Sequence, residues 1–399
     1  MNETVTKRKA GIPQGIIIAG ISILPMMAVV TLMPVIPTIR NHFSDIPYIN
    51  TLAPLVISAP GLCVALFAPY AGFLADKLGR RKLLLIFTFL YGLGGILPFF
   101  VESFGLLLAG RLILGIGEAF ILTVANALLG DYFEEDKRNT WIMLQSIIGP
   151  AFGFFVISGS GYLSSMGWQY PFLLYSFTFL ITIGAYFFIY EPERKVISEA
   201  DKLKKVDTDK FPMKLVIKIA TTTLIASILY YVYTLHFSLA LDEIGIKDPK
   251  RIGNITAVAS LMVPIGAIIF KFLGKKSNRL QFGLMFTLIG IGLIGIGQSD
   301  NLPMVWASAI VQQLGCGMAI PVLIAYGLRS VPVKYRGRGM GFWSSGFFLG
   351  LFLSPFIVGA VRELVGGLLP AFTAFGIICI ILLIINWIFG SNKAQIAAE

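Results

Sequence analysis

Two ionisable residues, Arg111 and Glu118, stand seven positions apart in the otherwise apolar segment GRLILGIGEAF. Seven helical residues span about 10 Å and return to nearly the same face. Charged groups are costly inside a bilayer, so they face the interior of a helix bundle and mark functional sites. Burial disfavours an ionised carboxyl group and a nearby cation favours it, so Glu118 is the candidate proton carrier. The alternative for both residues is a polar clamp between helices with no role in turnover.

The elements that must position these residues are membrane-spanning helices. Of the 399 residues, 56% are hydrophobic and 13% are charged, and the mean hydropathy is +0.81. Soluble domains carry about 25% charged residues, and a spanning helix needs about 20 apolar residues. We therefore predict an all-α membrane protein with twelve transmembrane helices, at 13–36, 48–73, 83–101, 105–129, 140–164, 170–190, 213–241, 252–273, 281–298, 302–328, 339–361 and 368–390.

The distribution of cations predicts the orientation of these helices. With the N-terminus inside, the inner segments contain 26 of the 32 Lys and Arg residues. Cytoplasmic loops carry such an excess, so both termini are predicted to be cytoplasmic and the chain to reside in the cell's inner membrane. The first apolar run, from Ile12 to Ile36, is too long for a cleaved signal peptide and is expected to be a retained helix.

A polar segment divides the predicted helices into two groups of six. We expect an N-terminal six-helix bundle at 1–190, a cytoplasmic linker at 191–212 and a C-terminal six-helix bundle at 213–399. The linker is rich in lysine and aspartate and poor in apolar residues, which favours its assignment as a connection between bundles.

The two predicted bundles share sequence features. A shift of 200 residues places Gly115 and Gly117 on Gly315 and Gly317, and weaker matches occur at shifts of 195 and 205. Duplicated, pseudo-symmetric halves with a site between them are a transporter architecture.

A second cluster, the basic segment GFLADKLGRR, follows the second predicted helix. Glycine permits close helix approach or a sharp turn, and an acid can accept a hydrogen bond or a cation at a neighbouring helix end. The segment resembles the loop between helices 2 and 3 of the major facilitator superfamily, G-x-L-x-D-x-x-G-R-[RK]. The matching residues are Gly72, Leu74, Asp76, Gly79, Arg80 and Arg81. The resemblance implies a gate that latches the cytoplasmic side when the cavity faces out.

The fourth predicted helix resembles another motif of the superfamily, R-x-x-x-G-x-G, through Arg111, Gly115 and Gly117. Together with Glu118, this resemblance implies proton coupling. Arg111 is then expected to tune the carboxyl group or to hold an anionic substrate.

The fifth predicted helix resembles the G-P-x-x-G core of superfamily antiporters at Gly149, Pro150 and Gly153. Proline kinks a helix, and glycines permit close packing at a moving interface. The match is partial, because Phe154 stands where the fuller pattern has glycine. It favours export, and an ordinary kinked membrane helix is the alternative.

Candidate substrate-binding residues are aromatic, thioether and amide side chains within the helices. They are Met26, Met27, Gln145, Tyr230, Tyr231, Tyr233, His236, Gln312, Gln313 and Trp343. Such surfaces suit amphipathic organic molecules. Packing is the alternative for each of them, and His236 is expected to be an interfacial histidine near the outer boundary.

Other kinds of chemistry are not indicated. The sequence contains no phosphate-binding GxxxxGK[ST], no cluster with metal-ligand spacing and no nucleophile–base constellation. We therefore expect no enzymatic activity, no cofactor and no metal. The basic runs are explained by topology, so no nucleic-acid partner is predicted. The expected partners are protons, a small organic substrate and the lipid bilayer, and the expected state is a monomer.

The resemblance implies a drug:proton antiporter that works by rocking its two halves. The predicted function is proton-coupled efflux of amphipathic organic molecules, of the multidrug type. The main alternative is proton-coupled uptake of a small organic anion with Arg111 as counter-ion. A membrane sensor built on a transporter body and a flippase for lipid-linked substrates are further alternatives.

Overall fold

A computed structural model describes residues 10–192, 211–273, 276–332 and 335–389. In these ranges the regular structure is helical, and twelve helices are long and apolar enough to cross a membrane. They are α1 (Ile12–His42), α2 (Ile49–Leu78), α3 (Arg80–Phe100), α4 (Phe104–Tyr132), α5 (Glu135–Ser164), α6 (Tyr170–Phe188), α7 (Met213–Glu243), α8 (Pro249–Leu273), α9 (Asn278–Gly297), α10 (Leu302–Ser330), α11 (Arg336–Val365) and α12 (Leu368–Phe389). The predicted all-α, twelve-span architecture is confirmed.

The junction between α2 and α3 is shorter than predicted. Helix α2 continues to Leu78 and α3 begins at Arg80, so only Gly79 leaves the helical conformation. Its φ of +93° lies in the region that favours glycine. The prediction of a loop over GFLADKLGRR was therefore wrong. Polar residues mark where a helix leaves the membrane, but here they do not end it.

Helix α1 is interrupted near its middle. Its α-helical part ends at Val30, a 3₁₀ turn covers Met33–Val35, and helix resumes at Ile36. Pro34 has no N–H group, so the carbonyl of Val30 loses its helical partner. The neighbouring carbonyl of Thr31 accepts a hydrogen bond from Ser160 of α5. Other helices thus satisfy backbone groups freed by the break.

The helices pack as two groups of six. Helices α1–α6 pack mainly on one another, as do α7–α12, and the groups meet where α2 packs on α11 and α5 packs on α8. We call these groups the N half and the C half. The predicted linker lies mostly outside the described residues, which omit 193–210, so the domain boundaries stay predictions.

Glycine contacts fix the register that relates the two halves. A Cβ added to Gly117 of α4 would lie 2.9 Å from the amide nitrogen of Tyr91 on α3. A Cβ added to Gly315 of α10 would lie 2.8 Å from the amide nitrogen of Ile289 on α9. Both glycine and partner are displaced by 198 residues, so Gly315 corresponds to Gly117.

A second pair of contacts gives the same register. A Cβ on Gly94 would lie 2.5 Å from the amide nitrogen of Leu114, and one on Gly292 would lie 2.6 Å from that of Gln312. These residues are again 198 positions apart. The sequence shift of 200 was therefore wrong by two residues, because both helices carry a G-x-G pair and the wrong glycines were matched.

Candidate transport site

A cavity of about 300 Å³ lies between the two halves at the middle of the bundle. Its described lining is mostly apolar and comes from both halves. The lining residues are Pro25, Met26, Val29, Val30, Met33, Glu118, Pro150, Gly153, Ile157, Tyr230, Tyr231, Thr234, Ser260, Val263, Gln313, Ile320, Phe347, Phe348 and Leu351. A cavity of this size and composition suits a small organic ligand.

Glu118 is the acid in this wall. Its residue is 4% exposed, and its Oε2 atom is buried without a hydrogen-bond partner. Among the described lining residues, no other side chain is an Asp, Glu, Lys, Arg or His. A buried carboxyl oxygen without a protein partner is costly, so this position is poised to take a proton or a cation from the cavity.

The fold of α4 explains why Glu118 faces the cavity. A Cβ on Gly115 would lie 2.6 Å from the Cα of Pro60 on α2, and Gly117 lies equally tightly against α3. The small residues of α4 are thus used against α2 and α3. Glu118 directly follows Gly117, so its side chain points about 100° away from the face that packs on α3. That direction brings Glu118 into the wall of the cavity.

Arg111 lies beside the cavity wall rather than in it. It is fully buried, with Nε donating to the carbonyl of Val56 on α2 at 2.8 Å and Nη1 donating to the hydroxyl of Tyr175 on α6 at 3.0 Å. Its Nη2 donates to the carbonyl of Ala28 on α1. In the described structure it forms no ion pair with Glu118. Arg111 therefore joins three helices of the N half, and it lies outside the described lining of the cavity.

Four of the ten predicted substrate-binding residues line the cavity. They are Met26, Tyr230, Tyr231 and Gln313. The other six, Met27, Gln145, Tyr233, His236, Gln312 and Trp343, lie outside the described lining. Sequence reasoning missed Phe347, Phe348 and Leu351 of α11, because apolar residues of a membrane helix carry no signal that separates a cavity wall from a lipid contact.

His236 lies about two turns before the end of α7 at Glu243. Its side chain is buried, with Nδ1 3.2 Å from the carbonyl oxygen of Val232 one turn earlier. Burial inside the bundle does not report depth in the membrane, so the expected position near the outer boundary stays a prediction.

Two of the three residues in the antiporter-like segment of α5 line the cavity. Pro150 and Gly153 line the cavity, and a Cβ on Gly153 would lie 3.2 Å from Cε of Met26. A Cβ on Gly149 would meet nothing within 4 Å. The close packing expected of Gly149 is therefore absent in this conformation.

The close approach of α5 to the C half occurs further along, at Gly161. A Cβ there would lie 2.8 Å from the Cα of Gly253 on α8. Helix α5 packs along Pro249–Ser260 of α8 and hardly touches Met262–Leu273. The two helices thus meet at one end and separate toward the other. We call the end that carries Gly79 the basic face and the end that carries Gly161 the opposite face.

Further contacts join the halves at the opposite face. Nη2 of Arg40, at the end of α1, lies 2.6 Å from Oδ2 of Asp242, at the end of α7. Gly359 of α11 packs directly on Thr51 of α2. These contacts hold the two halves together at the opposite face.

The α2–α3 junction is held within the N half. The carboxylate of Glu191 accepts hydrogen bonds at 2.8 Å from the backbone amides of Arg80 and Arg81, which caps the start of α3. The Arg81 side chain donates to the carbonyl of Ile189 at 2.6 Å, and Arg80 pairs with Asp131 at the end of α4. Sequence reasoning named both arginines but neither acid.

Two other residues predicted for the gate are Gly72 and Asp76. A Cβ on Gly72 would lie 3.8 Å from Cγ2 of Thr123, an ordinary contact, so no close approach depends on that glycine here. Asp76 lies in the last turn of α2, and its side chain lies outside the described part of the structure.

Two six-helix halves around a central cavity are the architecture of a membrane transporter rather than an enzyme. The sequence matches the Major Facilitator Superfamily over residues 18–247 and again over 219–397. The chain belongs to this superfamily.

Its relatives and structural neighbours are transporters. It is 24% identical over 364 residues to a bacillibactin exporter of Bacillus subtilis, with 86% of this chain and 88% of the relative covered. It is 23% identical over 337 residues to the quinolone resistance protein NorA of Staphylococcus aureus, with 82% and 85% covered. A crystal structure of a D-xylose–proton symporter superposes with a TM-score of 0.78 at 13% identity and covers 96% of this chain and 99% of that one. That likeness concerns the fold.

Proposed function

We propose that this protein exports amphipathic organic molecules in exchange for protons, by alternating access of the central cavity. The observation that carries the proposal is Glu118, a buried acid in the cavity wall with an unpartnered oxygen. Two relatives named for export and for drug resistance support the direction. The aromatic and Met lining supports an amphipathic substrate.

The cycle follows from the position of Glu118. With the cavity open to the outside, Glu118 takes a proton and is neutral. After the halves rock, the proton leaves to the cytoplasm and the carboxylate attracts a cationic substrate. A bare carboxylate is costly in an apolar cavity. Glu118 should therefore bind either a proton or the substrate cation at each stage of the cycle. Arg111 supplies a fixed positive charge in the same half.

The orientation is part of the proposal. The cations of the basic face, including Arg80, Arg81 and Arg336, support the assignment of that face and both termini to the cytoplasm by the positive-inside rule. The conformation described here then faces inward, ready to load substrate. When the cavity faces out, Asp76 with Arg80 and Arg81 would latch the cytoplasmic side. We expect a monomer in the cell membrane.

The alternative, uptake of a small organic anion with Arg111 as counter-ion, gains no support from the geometry. Arg111 is fully buried, lies outside the described cavity lining and donates to two carbonyls and a hydroxyl. A substrate anion in the cavity would therefore not reach Arg111 in this conformation.

The test is transport of a fluorescent cation into everted vesicles under an imposed pH gradient. We expect wild type to accumulate the dye when the vesicle interior is acidic and Glu118→Gln to lose this proton dependence. Cys316→Ser, at the corresponding position of the C half, is the matched control and should retain it. An unchanged proton dependence in Glu118→Gln would refute the coupling assignment.

A further inference from the structure

The part of the cavity wall that the C half contributes carries an amide among its neutral side chains. Gln313 of α10 is 5% exposed, and it belongs to the cavity lining. It is contributed by the C half, whereas Glu118 is contributed by the N half. The cavity therefore has an acid on one side and an amide on the other.

The neighbouring amide shows that this arrangement is specific to Gln313. Gln312 is fully buried, and Gly292 of α9 packs against it. Its Nε2 lies 3.0 Å from Sγ of Cys316. Successive residues of a helix point about 100° apart. Gln312 is therefore committed to packing between helices, and Gln313 is the amide that a ligand can reach.

Neutral hydrogen-bonding groups surround Gln313. Tyr230, Thr234 and Ser260 line the same side of the cavity. The amide is adjacent to the hydroxyl of Tyr233, a buried group for which the structure shows no hydrogen bond of good geometry. This side of the cavity can donate and accept hydrogen bonds, but none of these side chains carries a full charge at neutral pH.

We propose that Gln313 determines specificity by binding a neutral hydrogen-bonding group of a substrate whose positive charge lies at Glu118. This inference rests on the proposed export function and deepens it. The preferred substrate is an amphipathic cation with a hydroxyl, amine or amide at the end away from its charge. A buried polar group left unpaired disfavours the analogue that lacks a partner for it, whereas a purely apolar wall discriminates weakly between such analogues.

A matched pair of probes tests the inference by equilibrium binding to purified protein. Tetraphenylphosphonium is a cation without a hydrogen-bonding group, and its para-hydroxyphenyl analogue adds one hydroxyl. We expect wild type to prefer the hydroxylated cation by roughly tenfold, the size of one net hydrogen bond. Gln313→Leu should lose this preference, because the amide that pairs with the hydroxyl and is left unpaired beside tetraphenylphosphonium is gone.

Two further variants keep the test decisive. Gln313→Asn retains an amide on a shorter chain and should keep part of the preference, which also guards against a Leu variant that fails to fold. Gln298→Leu makes the same chemical change at an exposed amide at the end of α9 and should keep the full preference.

The inference is overturned if wild type shows no preference, if it binds neither cation, or if Gln313→Leu keeps the preference. Binding needs no proton gradient. The test can therefore fail while proton-coupled transport is observed, and transport can lose its proton dependence while the preference remains.

Discussion

The N half and the C half share one fold but differ in what their cores contain. In the N half, α4 carries Arg111 and Glu118. With the register of 198 residues, the corresponding residues of α10 are Ala309 and Cys316. The buried core along α4 is thus ionic, and the buried core along α10 is neutral. In the proposed function the proton is carried by the N half alone, while residues of both halves line the cavity that takes the substrate.

The largest expected effect is the loss of stability when the buried cation of the N half is removed. Arg111→Met removes a side chain that joins α1, α2 and α6, and with it the donors to two carbonyls and a hydroxyl. We expect a loss of roughly 3–5 kcal/mol of stability, the usual cost of removing one partner from a buried charged network. Thermal unfolding in detergent measures it.

The conservative and surface variants set the scale for Arg111. Arg111→Lys should recover part of the loss because an ammonium can serve some of the same acceptors. Arg251→Met, at an exposed arginine, should change stability by less than about 0.5 kcal/mol. Equal losses of stability in Arg111→Met and Arg251→Met would contradict the conclusion that Arg111 joins three helices of the N half.

The next effect concerns the contact between the halves. Gly161→Ala places a methyl group against the backbone of Gly253, which should destabilise closure of the opposite face by about 1–3 kcal/mol. Spin-label distances across that face should shift toward the open state, and the transport rate should fall. Gly159→Ala, where a Cβ meets nothing within 4 Å, should leave both unchanged. Identical behaviour of the two variants would show that the glycine contact does not govern closure.

A smaller effect is expected at the ion pair between the halves. The Arg40 side chain is 17% exposed and Asp242 is buried, so desolvation offsets most of their attraction. The ion pair should therefore contribute about 1 kcal/mol or less to the closed state. A double-mutant cycle with Arg40→Gln and Asp242→Asn, read by the same spin-label distances, isolates this interaction. Strictly additive effects would show that the ion pair does not stabilise the closed state of the opposite face.

The smallest effect is expected in the neutral core. Gln312→Met removes an amide whose Oε1 is already without a partner and whose Nε2 donates only to a thiol. The change should alter stability by less than about 1 kcal/mol, because little hydrogen bonding is lost and a similar volume is kept. Thermal unfolding beside Arg111→Met gives the contrast directly. A loss as large as that of Arg111→Met would remove the distinction between the two cores.

Much of the fold could be predicted from sequence because hydropathy and cations report directly on the bilayer. The twelve spans follow from that signal, although α2 runs past the polar residues that were taken as its end. The site was harder to predict. Gln312 and Gln313 are chemically identical, as are Met26 and Met27, and only the rotation of each helix in the bundle decides which one faces the cavity.

The interactions that fix the site were also hidden from sequence. Pro34 signals a break in α1, but nothing local shows that Ser160 satisfies a carbonyl of that break. Glu191 belongs to a segment predicted as linker, yet it caps α3 across more than a hundred residues of chain. Such contacts depend on tertiary packing, so neither spacing nor composition could reveal them.

The central claim is that a substrate cation and a proton compete for Glu118. The most direct measurement adds tetraphenylphosphonium to purified protein in weakly buffered solution and follows pH with an indicator dye. Wild type should release protons as the cation binds, while Glu118→Gln should release none and Cys316→Ser should match wild type. Equal proton release from wild type and Glu118→Gln, or none from wild type despite binding, would contradict the account.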